Sequence, residues 1–363
     1  MTGAVELKLY STTSESVNAD DPDGRRFRDR LHVDIAAADD LGCTGMLVPQ
    51  NMHEIDPWIV AGEIGSRSES LLPLVAVQPA TLPPHSVASI ASAFAVLYGR
   101  PILFNLVAGA RVDELAAIGD TLDHDERYAR LGTFARLTRT LLDGGTIEGD
   151  GTYYDYVGHK LLPCPDTLSR CRFFVAGSSP ASRAMAVGHA DVVISHPAPV
   201  ADFEAASVRP LVADGFSGEL GIRVGILARP DHDDAWSVAQ NRFPLTWLGT
   251  QETKLKTLST NSWSRDLATR ALANDPDAAG EISDPYWLGA FTNGAASAPF
   301  LVGSIDEVAE RLAEYMRLGV RHLVLNGHRP DDHPGIRAVA KRATELITTK
   351  QAPEARNDAL HRT

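Results

Sequence analysis

The sequence has little cysteine, with only Cys43, Cys164 and Cys171 among its 363 residues. These three form no CxxC pair and their number is odd, so we expect neither a disulfide framework nor a structural zinc site. The His and Asp groups at 231–234 and 328–333 also lack metal-ligand spacing, and we expect no bound metal. This cysteine usage fits a reducing compartment.

Long apolar runs and basic stripes are missing as well. No apolar stretch reaches membrane-spanning length, and residues 1–16 lack the basic and apolar regions of a signal peptide. The net charge is −13, so we expect neither nucleic acid nor a membrane surface as a partner. Together with the cysteine usage, these absences predict a cytoplasmic protein.

Eight short apolar runs alternate with helix-like segments along the chain. The runs are 5–10, 45–48, 71–77, 101–109, 172–177, 191–195, 221–227 and 322–327. Continuous apolar strands are typical of parallel sheets that are covered on both faces. Eight of them predict an α/β protein with a (β/α)8 TIM barrel, whose active site lies at the C-terminal strand ends. A doubly wound open sheet is the alternative, but no strand is followed by GxGxxG.

Two stretches depart from this repeat. Residues 144–162 alternate polar and apolar side chains around a Gly-Asp-Gly turn, which predicts a β-hairpin insertion. Residues 247–300 have weak periodicity, and we interpret them as a lid-like segment or a disordered loop. We expect one barrel domain over residues 1–348 and a flexible tail over 349–363.

Asn105 is the polar residue inside the fourth apolar run, PILFNLVAG. Asn prefers turns, so one interpretation is that it caps the turn that follows. The other is that its amide points into the barrel mouth and hydrogen-bonds a ligand. Ala108 and Gly109 would then allow the backbone to approach that ligand closely.

His124 and Tyr128 lie one helical turn apart in LDHDERY, at the start of a predicted helix over 124–142. Asp123 and Glu126 match a capping box, which is a structural role. His124 and Tyr128 share a helix face. They are either ordinary surface residues or an imidazole and phenol pair that suits an anionic or heteroaromatic ligand.

The segment FFVAGSSPASRAMA places small polar residues between a strand and a helix. The strand is expected to end at Gly177 and the helix to begin at Pro180, a favourable first-turn residue. Ser178 and Ser179 then lie at the helix N-terminus, where free N–H groups and the helix dipole favour an anion. Simple N-capping is the structural alternative.

Taken together and in this order, these segments resemble the bacterial luciferase-like flavin monooxygenases, most closely the alkanesulfonate monooxygenase branch. The resemblance runs from about residue 5 to 348 and also rests on AADDLGCTGMLVP and LVGSIDEVAERLAEYMRLGVRHLVLNGH. It implies a barrel that binds reduced FMN supplied by a separate NAD(P)H:flavin reductase. O₂ would be the co-substrate, through a flavin C4a-(hydro)peroxide. We expect a homodimer or a homotetramer.

The resemblance also implies positions for the cofactor. Asn105 would lie beside the flavin ring, with His124 and Tyr128 near the ribityl chain and phosphate. The residues expected on the phosphate are Gly177, Ser178 and Ser179. The residues expected to flank the isoalloxazine are Pro49, Gln50, Gln78 and Thr81.

The chain departs from the alkanesulfonate enzymes at three positions. Glu54 stands where they carry a cysteine, and Gly225 where they carry a histidine. Asn293-Gly294 fall where their mobile loop carries an arginine, although Arg223 is kept. We expect Arg223 and Glu54 at the catalytic end of the site. A buried sulfonate needs paired cations, so we expect a substrate that is neutral or carries an amine.

We therefore predict a two-component, FMNH₂-dependent monooxygenase that oxygenates a small organic substrate. Closure of residues 247–300 would exclude water from the reaction. One alternative is a deazaflavin-dependent oxidoreductase of the same barrel family, which transfers hydride without O₂. The other is a non-catalytic flavin-binding homologue, although such homologues tend to lose the lid.

Overall fold

The computed structural model describes most of the chain. The described residues are 6–13, 24–50, 55–109, 112–149, 151–177, 179–258, 262–273 and 284–351. The strands in these residues are β1 (Lys8–Thr12), β2 (Gly45–Val48), β3 (Leu72–Val77), β4 (Leu103–Leu106), β5 (Thr146–Ile147), β6 (His159–Lys160), β7 (Phe173–Ala176), β8 (Val192–Ser195), β9 (Glu219–Arg229), β10 (Tyr286–Trp287), β11 (Phe300–Ser304) and β12 (Val320–Leu325).

The helices between the strands follow the same chain order. They are α1 (Arg25–Leu41), α2 (Pro57–Arg67), α3 (Pro84–Tyr98), α4 (Val112–Ala117), α5 (His124–Leu142), α6 (Pro180–His189), α7 (Val200–Phe203), α8 (Arg209–Ala213), α9 (His232–Arg242), α10 (Trp247–Lys256), α11 (Ser262–Ala273), α12 (Gly289–Thr292), α13 (Ile305–Arg317) and α14 (His333–Gln351). Short 3-10 helices cover Asp166–Arg170 and Pro330–Asp332, and a π-helical turn, Glu204–Val208, joins α7 to α8. None of the described helices combines the length and apolar content that a membrane span needs.

Eight of the strands form the predicted barrel. They neighbour one another in the order β9, β12, β1, β2, β3, β4, β7, β8, and β8 pairs again with β9. The pairs from β1 to β4, and onward to β7 and β8, are parallel, as is the pair of β9 with β12. Each barrel strand overlaps one of the eight apolar runs. The (β/α)8 fold class predicted from the sequence is therefore confirmed.

The chain divides into two compact units. The first unit comprises residues 10–194 and 211–218, and the second comprises 1–9, 195–210 and 219–363. The core of the first unit includes Phe104 and Phe173, whose ring centroids lie 5.4 Å apart. The core of the second includes Phe243 and Phe300, with ring centroids 5.2 Å apart. Whether one domain spans residues 1–348 stays a prediction.

The first predicted insertion is a hairpin, as expected. β5 and β6 pair antiparallel over two residues each. So short a ladder needs support from elsewhere. It comes from α3: His159 Nε2 lies 2.7 Å from His85 Nδ1, and the His85 backbone N–H donates to Tyr156 Oη at 3.2 Å.

The second insertion is more regular than its sequence suggested. Residues 247–300 contain α10, α11, α12 and β10, and end at the start of β11. Of the two interpretations, the disordered loop is therefore wrong for the described part. β11 extends the sheet by pairing parallel with β9, and β10 pairs antiparallel with β11. The helices are short and pack on one another, as in the bond from Thr253 Oγ1 to Thr292 O at 3.3 Å. A role for this segment as a lid stays a prediction.

The C-terminal end is helical for longer than expected. α14 continues to Gln351, three residues into the predicted tail over 349–363. Residues 352–363 lie outside the described residues.

Candidate functional site

The C-terminal ends of β2, β3, β4 and β7 lie side by side at one edge of the first unit. Pairing places Val48 opposite Val75, Val77 opposite Leu106, and Leu106 opposite Val175. Parallel strands bring their carboxyl ends to the same edge of a sheet. The predicted cofactor residues that directly follow or end these strands are Pro49, Gln50, Gln78, Thr81, Asn105, Gly177 and Ser179.

Asn105 lies within β4, not in the turn after it. Its neighbours Phe104 and Leu106 are buried, whereas Asn105 is half-buried and points to the opposite face. Its side chain makes no hydrogen bond with another residue in the described ranges. Asn105 therefore does not cap the turn that follows, and its amide is available to a ligand.

Gln50, Thr81 and Gln78 form a hydrogen-bonded chain. Gln50 Nε2 donates to Thr81 Oγ1 at 3.2 Å, and Thr81 Oγ1 donates to the Gln78 carbonyl at 2.9 Å. The Gln78 amide packs against Gly109, where an added Cβ would lie 2.5 Å from Gln78 Nε2. Gly109 also has a φ of +96°, which favours glycine. Pro49 precedes Gln50, so the loops after β2, β3 and β4 meet here. That these residues flank an isoalloxazine stays a prediction.

Tyr128 lies against Gly177, the residue that follows β7; the strand ends at Ala176, one residue earlier than expected. A Cβ on Gly177 would lie 3.0 Å from Tyr128 Oη and 2.8 Å from Ser182 Oγ, so only glycine fits there. Burial raises the pKa of Tyr128, although a hydrogen bond with Ser182 opposes the rise. His124 is more exposed; its ring centroid lies 5.0 Å from that of Tyr128 and its Nδ1 2.6 Å from Asp125 Oδ1.

The capping box predicted at the start of α5 fixes this face. Asp123 Oδ1 accepts from the Glu126 backbone N–H at 2.9 Å, and Glu126 Oε2 accepts from the Asp123 N–H at 2.9 Å. The helix begins at His124, as expected. His124 and Tyr128 therefore share one face of the first turn, and Tyr128 reaches the start of α6.

Ser179 is the N-cap of α6. Its Oγ accepts from the Ser182 backbone N–H at 3.2 Å, and Ser182 Oγ donates to the Ser179 carbonyl at 2.8 Å. Ser179 therefore has the N-capping role that was the structural alternative to anion binding. Ser182, which is buried, was not predicted. The sequence feature that could have identified it is a second hydroxyl residue three positions after the cap. Ser178 and Glu54, both predicted site residues, lie outside the described residues.

A second polar cluster lies within the second unit, between the middle of β9 and the residue that follows β12. Arg223 Nη2 donates to Asn326 Oδ1 at 3.4 Å, and Ser297 Oγ donates to the same oxygen at 3.3 Å. Asn326 continues β12, because its backbone N–H donates to Val224 O at 3.1 Å. Arg223 was predicted; Asn326 and Ser297 were not.

His196 follows β8 and was also missed. Its side chain is partly buried, and this burial, followed by the charge of Arg223, lowers its pKa to about 3. The imidazole is therefore neutral at physiological pH. The sequence feature that could have identified His196 is the same one that pointed to Asn105, namely a polar residue at the end of an apolar run.

The structure explains two of the departures from the alkanesulfonate pattern. A Cβ on Gly225 would lie 2.4 Å from the Phe300 ring, so Phe300 fills the space where a side chain would begin. The Asn293 side chain donates to the Pro244 carbonyl and joins the end of α12 to the segment before α10. Gly294 follows with a φ of +84°. Neither position offers a cation.

Within the described part of the chain, no group of three or more His, Cys, Asp or Glu side chains could hold a metal ion.

The sequence has relatives of known type. The profile of the luciferase-like monooxygenase family matches residues 16–322. A curated relative from Niallia circulans, 4-(gamma-L-glutamylamino)butanoyl-(BtrI acyl-carrier protein) monooxygenase BtrO, is 33% identical over 290 residues. That match covers 79% of this chain and 83% of the relative.

Solved structures share the fold at low sequence identity. EDTA monooxygenase from Chelativorans sp. BNC1 matches with a TM-score of 0.70 and 16% identity, over 95% of this chain and 94% of that one. An F420-dependent secondary alcohol dehydrogenase in complex with an F420-acetone adduct matches with a TM-score of 0.63 and 15% identity, over 93% and 98%. From the family profile and the curated relative, the chain belongs to the luciferase-like monooxygenase family.

Proposed function

We propose that this chain is the oxygenase of a two-component monooxygenase that uses FMNH₂ and O₂. A separate NAD(P)H:flavin reductase would supply the FMNH₂, and the oxygenase would act in the cytoplasm as a homodimer or homotetramer. The observation that carries the proposal is the cradle at Gly177, where Tyr128 Oη and Ser182 Oγ crowd the space that a Cβ would occupy.

The cradle has the chemistry that a flavin phosphate needs. It lies at the N-terminus of α6, where the helix dipole favours an anion. Pro180 has no N–H and the Ser182 N–H is bonded to Ser179 Oγ, so Ala181 is the first-turn residue whose backbone N–H can meet an anion. Tyr128 adds a half-buried phenol close to the backbone of Gly177. Because Ser179 Oγ is engaged as the cap, we assign the Ala181 N–H and Tyr128 to the phosphate and leave Ser178 as a prediction.

The neighbouring strand ends carry amides suited to a flavin ring. Asn105, Gln78 and Gln50 each offer both hydrogen-bond donors and acceptors, as the polar edge of an isoalloxazine requires. Asn105 is the residue we place beside the ring. Reduced FMN, when bound, supplies the electrons that activate O₂; the chain binds and orients it and excludes water.

The substrate we propose is neutral or carries an amine. Arg223 already donates to Asn326, His196 is neutral, and Phe300 packs on Gly225 where the alkanesulfonate enzymes have a histidine. A buried sulfonate without paired cations is very costly. The name of the Niallia circulans relative, a monooxygenase of an acyl group on a carrier protein, also supports a substrate other than a sulfonate.

Anaerobic titration with FMNH₂, FMN and reduced F420 tests this function. We expect FMNH₂ to bind more tightly than FMN, because a two-component oxygenase takes the reduced form from its partner. With a supplied reductase, short alkanesulfonates should release no sulfite. Equal affinities for FMNH₂ and FMN, or a firmly retained yellow cofactor, would count against the two-component function. Efficient sulfite release would contradict the proposed substrate class alone.

A deazaflavin-dependent oxidoreductase is the second candidate. It is favoured by the fold shared with the F420-dependent secondary alcohol dehydrogenase. The same titration separates the two, because tight F420 binding together with weak FMNH₂ binding would select the deazaflavin reaction.

A further inference from the structure

Asn326 is a nearly buried amide whose two ends have different surroundings. The residue is 8% exposed. Its Oδ1 accepts hydrogen bonds from Arg223 Nη2 and Ser297 Oγ at 3.4 and 3.3 Å. Its Nδ2 makes no hydrogen bond with another residue in the described ranges. The oxygen of the Asn326 amide is thus hydrogen-bonded by the protein, whereas its nitrogen can donate to a ligand.

Arg223 fixes the orientation of this amide. If the amide were flipped, its NH₂ group would face the guanidinium of Arg223, placing donor against donor, whereas the Ser297 hydroxyl can donate or accept. Nδ2 therefore points away from the guanidinium. It is not one of the fully buried side-chain atoms that lack a partner, so solvent still reaches it. A ligand oxygen that takes the place of this solvent can accept from Nδ2.

The groups around the amide favour a neutral ligand. Phe300 packs against Gly225 on one side, and a Cβ on Gly327 would lie 3.3 Å from its ring. This places an apolar wall beside the residue that follows Asn326. Arg223 contacts Asn326, a neutral amide that does not cancel its charge, and His196 carries no charge. A carbonyl oxygen fits such a site, whereas a permanent anion would meet Arg223 without a second cation from His196 or Gly225.

We propose that Asn326 is a specificity-determining residue whose Nδ2 donates to a carbonyl oxygen of a neutral acyl compound, such as an amide, thioester or ketone. Ser297 and Arg223 are positioning residues that hold the amide for this contact. The inference rests on the proposed function for the nature of the reaction. The contact itself is tested by binding alone.

The test compares three small probes by ligand-detected NMR. N,N-dimethylbutanamide has a carbonyl acceptor and no N–H, butylammonium has donors only, and butanesulfonate is an anion. The unmodified protein should bind the amide most tightly. Asn326→Asp keeps the shape and the Oδ1 contacts but replaces the donor by an acceptor. We expect it to weaken amide binding by about tenfold and to strengthen butylammonium binding.

Two further variants make the result specific. Asn241→Asp adds the same charge at an exposed position of α9 and should change neither affinity. Ser297→Ala removes one of the two anchors of Oδ1 and should weaken amide binding by a smaller factor than Asn326→Asp, with no gain for butylammonium. This variant keeps the test valid if Asn326→Asp does not fold.

FMNH₂ titration of the same variants separates the two proposals. If the amide affinity is unchanged in Asn326→Asp, or if only the FMNH₂ affinity changes, the inference about Asn326 is overturned while the proposed function stands. If the unmodified protein binds the amide through Asn326 but does not bind FMNH₂, the proposed function fails instead.

Discussion

At the scale of single residues, the site is shaped as much by missing side chains as by those present. Gly177 makes room for Tyr128 and Ser182, Gly109 for Gln78, and Gly225 for Phe300. In each case an added Cβ would come within about 3 Å of a neighbour, closer than carbon atoms pack. The contacts of these glycines with Tyr128, Gln78 and Phe300 are long-range, so the sequence around each glycine does not reveal them.

We expect Gly225→Ala to destabilise the protein by about 1–3 kcal/mol, because the new methyl group would overpack the Phe300 ring. Urea unfolding at neutral pH measures the effect. Gly188→Ala is the matched control: a Cβ there meets nothing within 4 Å, and alanine favours the helix α6. In a Phe300→Leu background the cost of Gly225→Ala should shrink. Equal losses of stability in Gly225→Ala and Gly188→Ala would show that Phe300 is not the reason why position 225 needs a glycine.

At the scale of elements, a buried ion network joins β9, α9 and the turn after β12. Asp332 accepts from Arg229 Nη2 at 2.9 Å and from Arg242 Nη1 at 2.6 Å, and its side chain is fully buried. Its Oδ2 also accepts from the Arg329 backbone N–H at 3.0 Å. This carboxylate therefore fixes the turn that follows Asn326.

Asp332→Asn should lower the free energy of unfolding by about 3–5 kcal/mol, since it removes the buried counter-charge of two largely buried guanidinium groups and leaves them the exposed Asp331. Thermal or urea unfolding at pH near 7 measures this. Its neighbour Asp331 is 65% exposed and lies 3.4 Å from Arg242. Asp331→Asn should cost less than about 1 kcal/mol. A similar loss of unfolding free energy in Asp332→Asn and Asp331→Asn would contradict the claim that burial makes the Asp332 ion pairs important.

At the scale of the whole molecule, His196 and Asp332 are two of the groups that make stability depend on acid pH. Burial, then the charge of Arg223, lowers the pKa of His196 to about 3. Burial alone would raise the pKa of Asp332, but hydrogen bonds from Arg242 and Arg229 outweigh it and the net shift is downward. In both cases the unfolded chain binds a proton at higher pH than the folded one. Their contributions are present at neutral pH and are lost as the pH falls.

We therefore expect the urea midpoint to fall as the pH drops below about 6.5, the ordinary histidine value. The fall due to His196 should continue toward about pH 3. The fall in the urea midpoint due to Asp332 should begin only below about pH 3.9. Measured against pH, His196→Asn should flatten the first part of the fall and leave the second. An unchanged slope in this variant would contradict the assigned cause.

Much of the fold was readable from local pattern. Burial on both faces makes each barrel strand a continuous apolar run, so eight runs predicted eight strands. The start of α5 was predicted to the residue because a capping box is a local signal. The helices of residues 247–300 were missed because they are short and are stabilised by packing on one another, which leaves weak periodicity.

The sequence by itself determined the barrel, the family and the loops that carry polar residues, because strand period, caps and turn residues act over a few positions. Only the tertiary structure decided what those residues do. It brought Ser182 to Tyr128 and set Phe300 against Gly225. It also joined Arg223 to Asn326 across 103 positions of the chain. Such pairs depend on strand register and helix packing, and neither is encoded in the residues that immediately flank them.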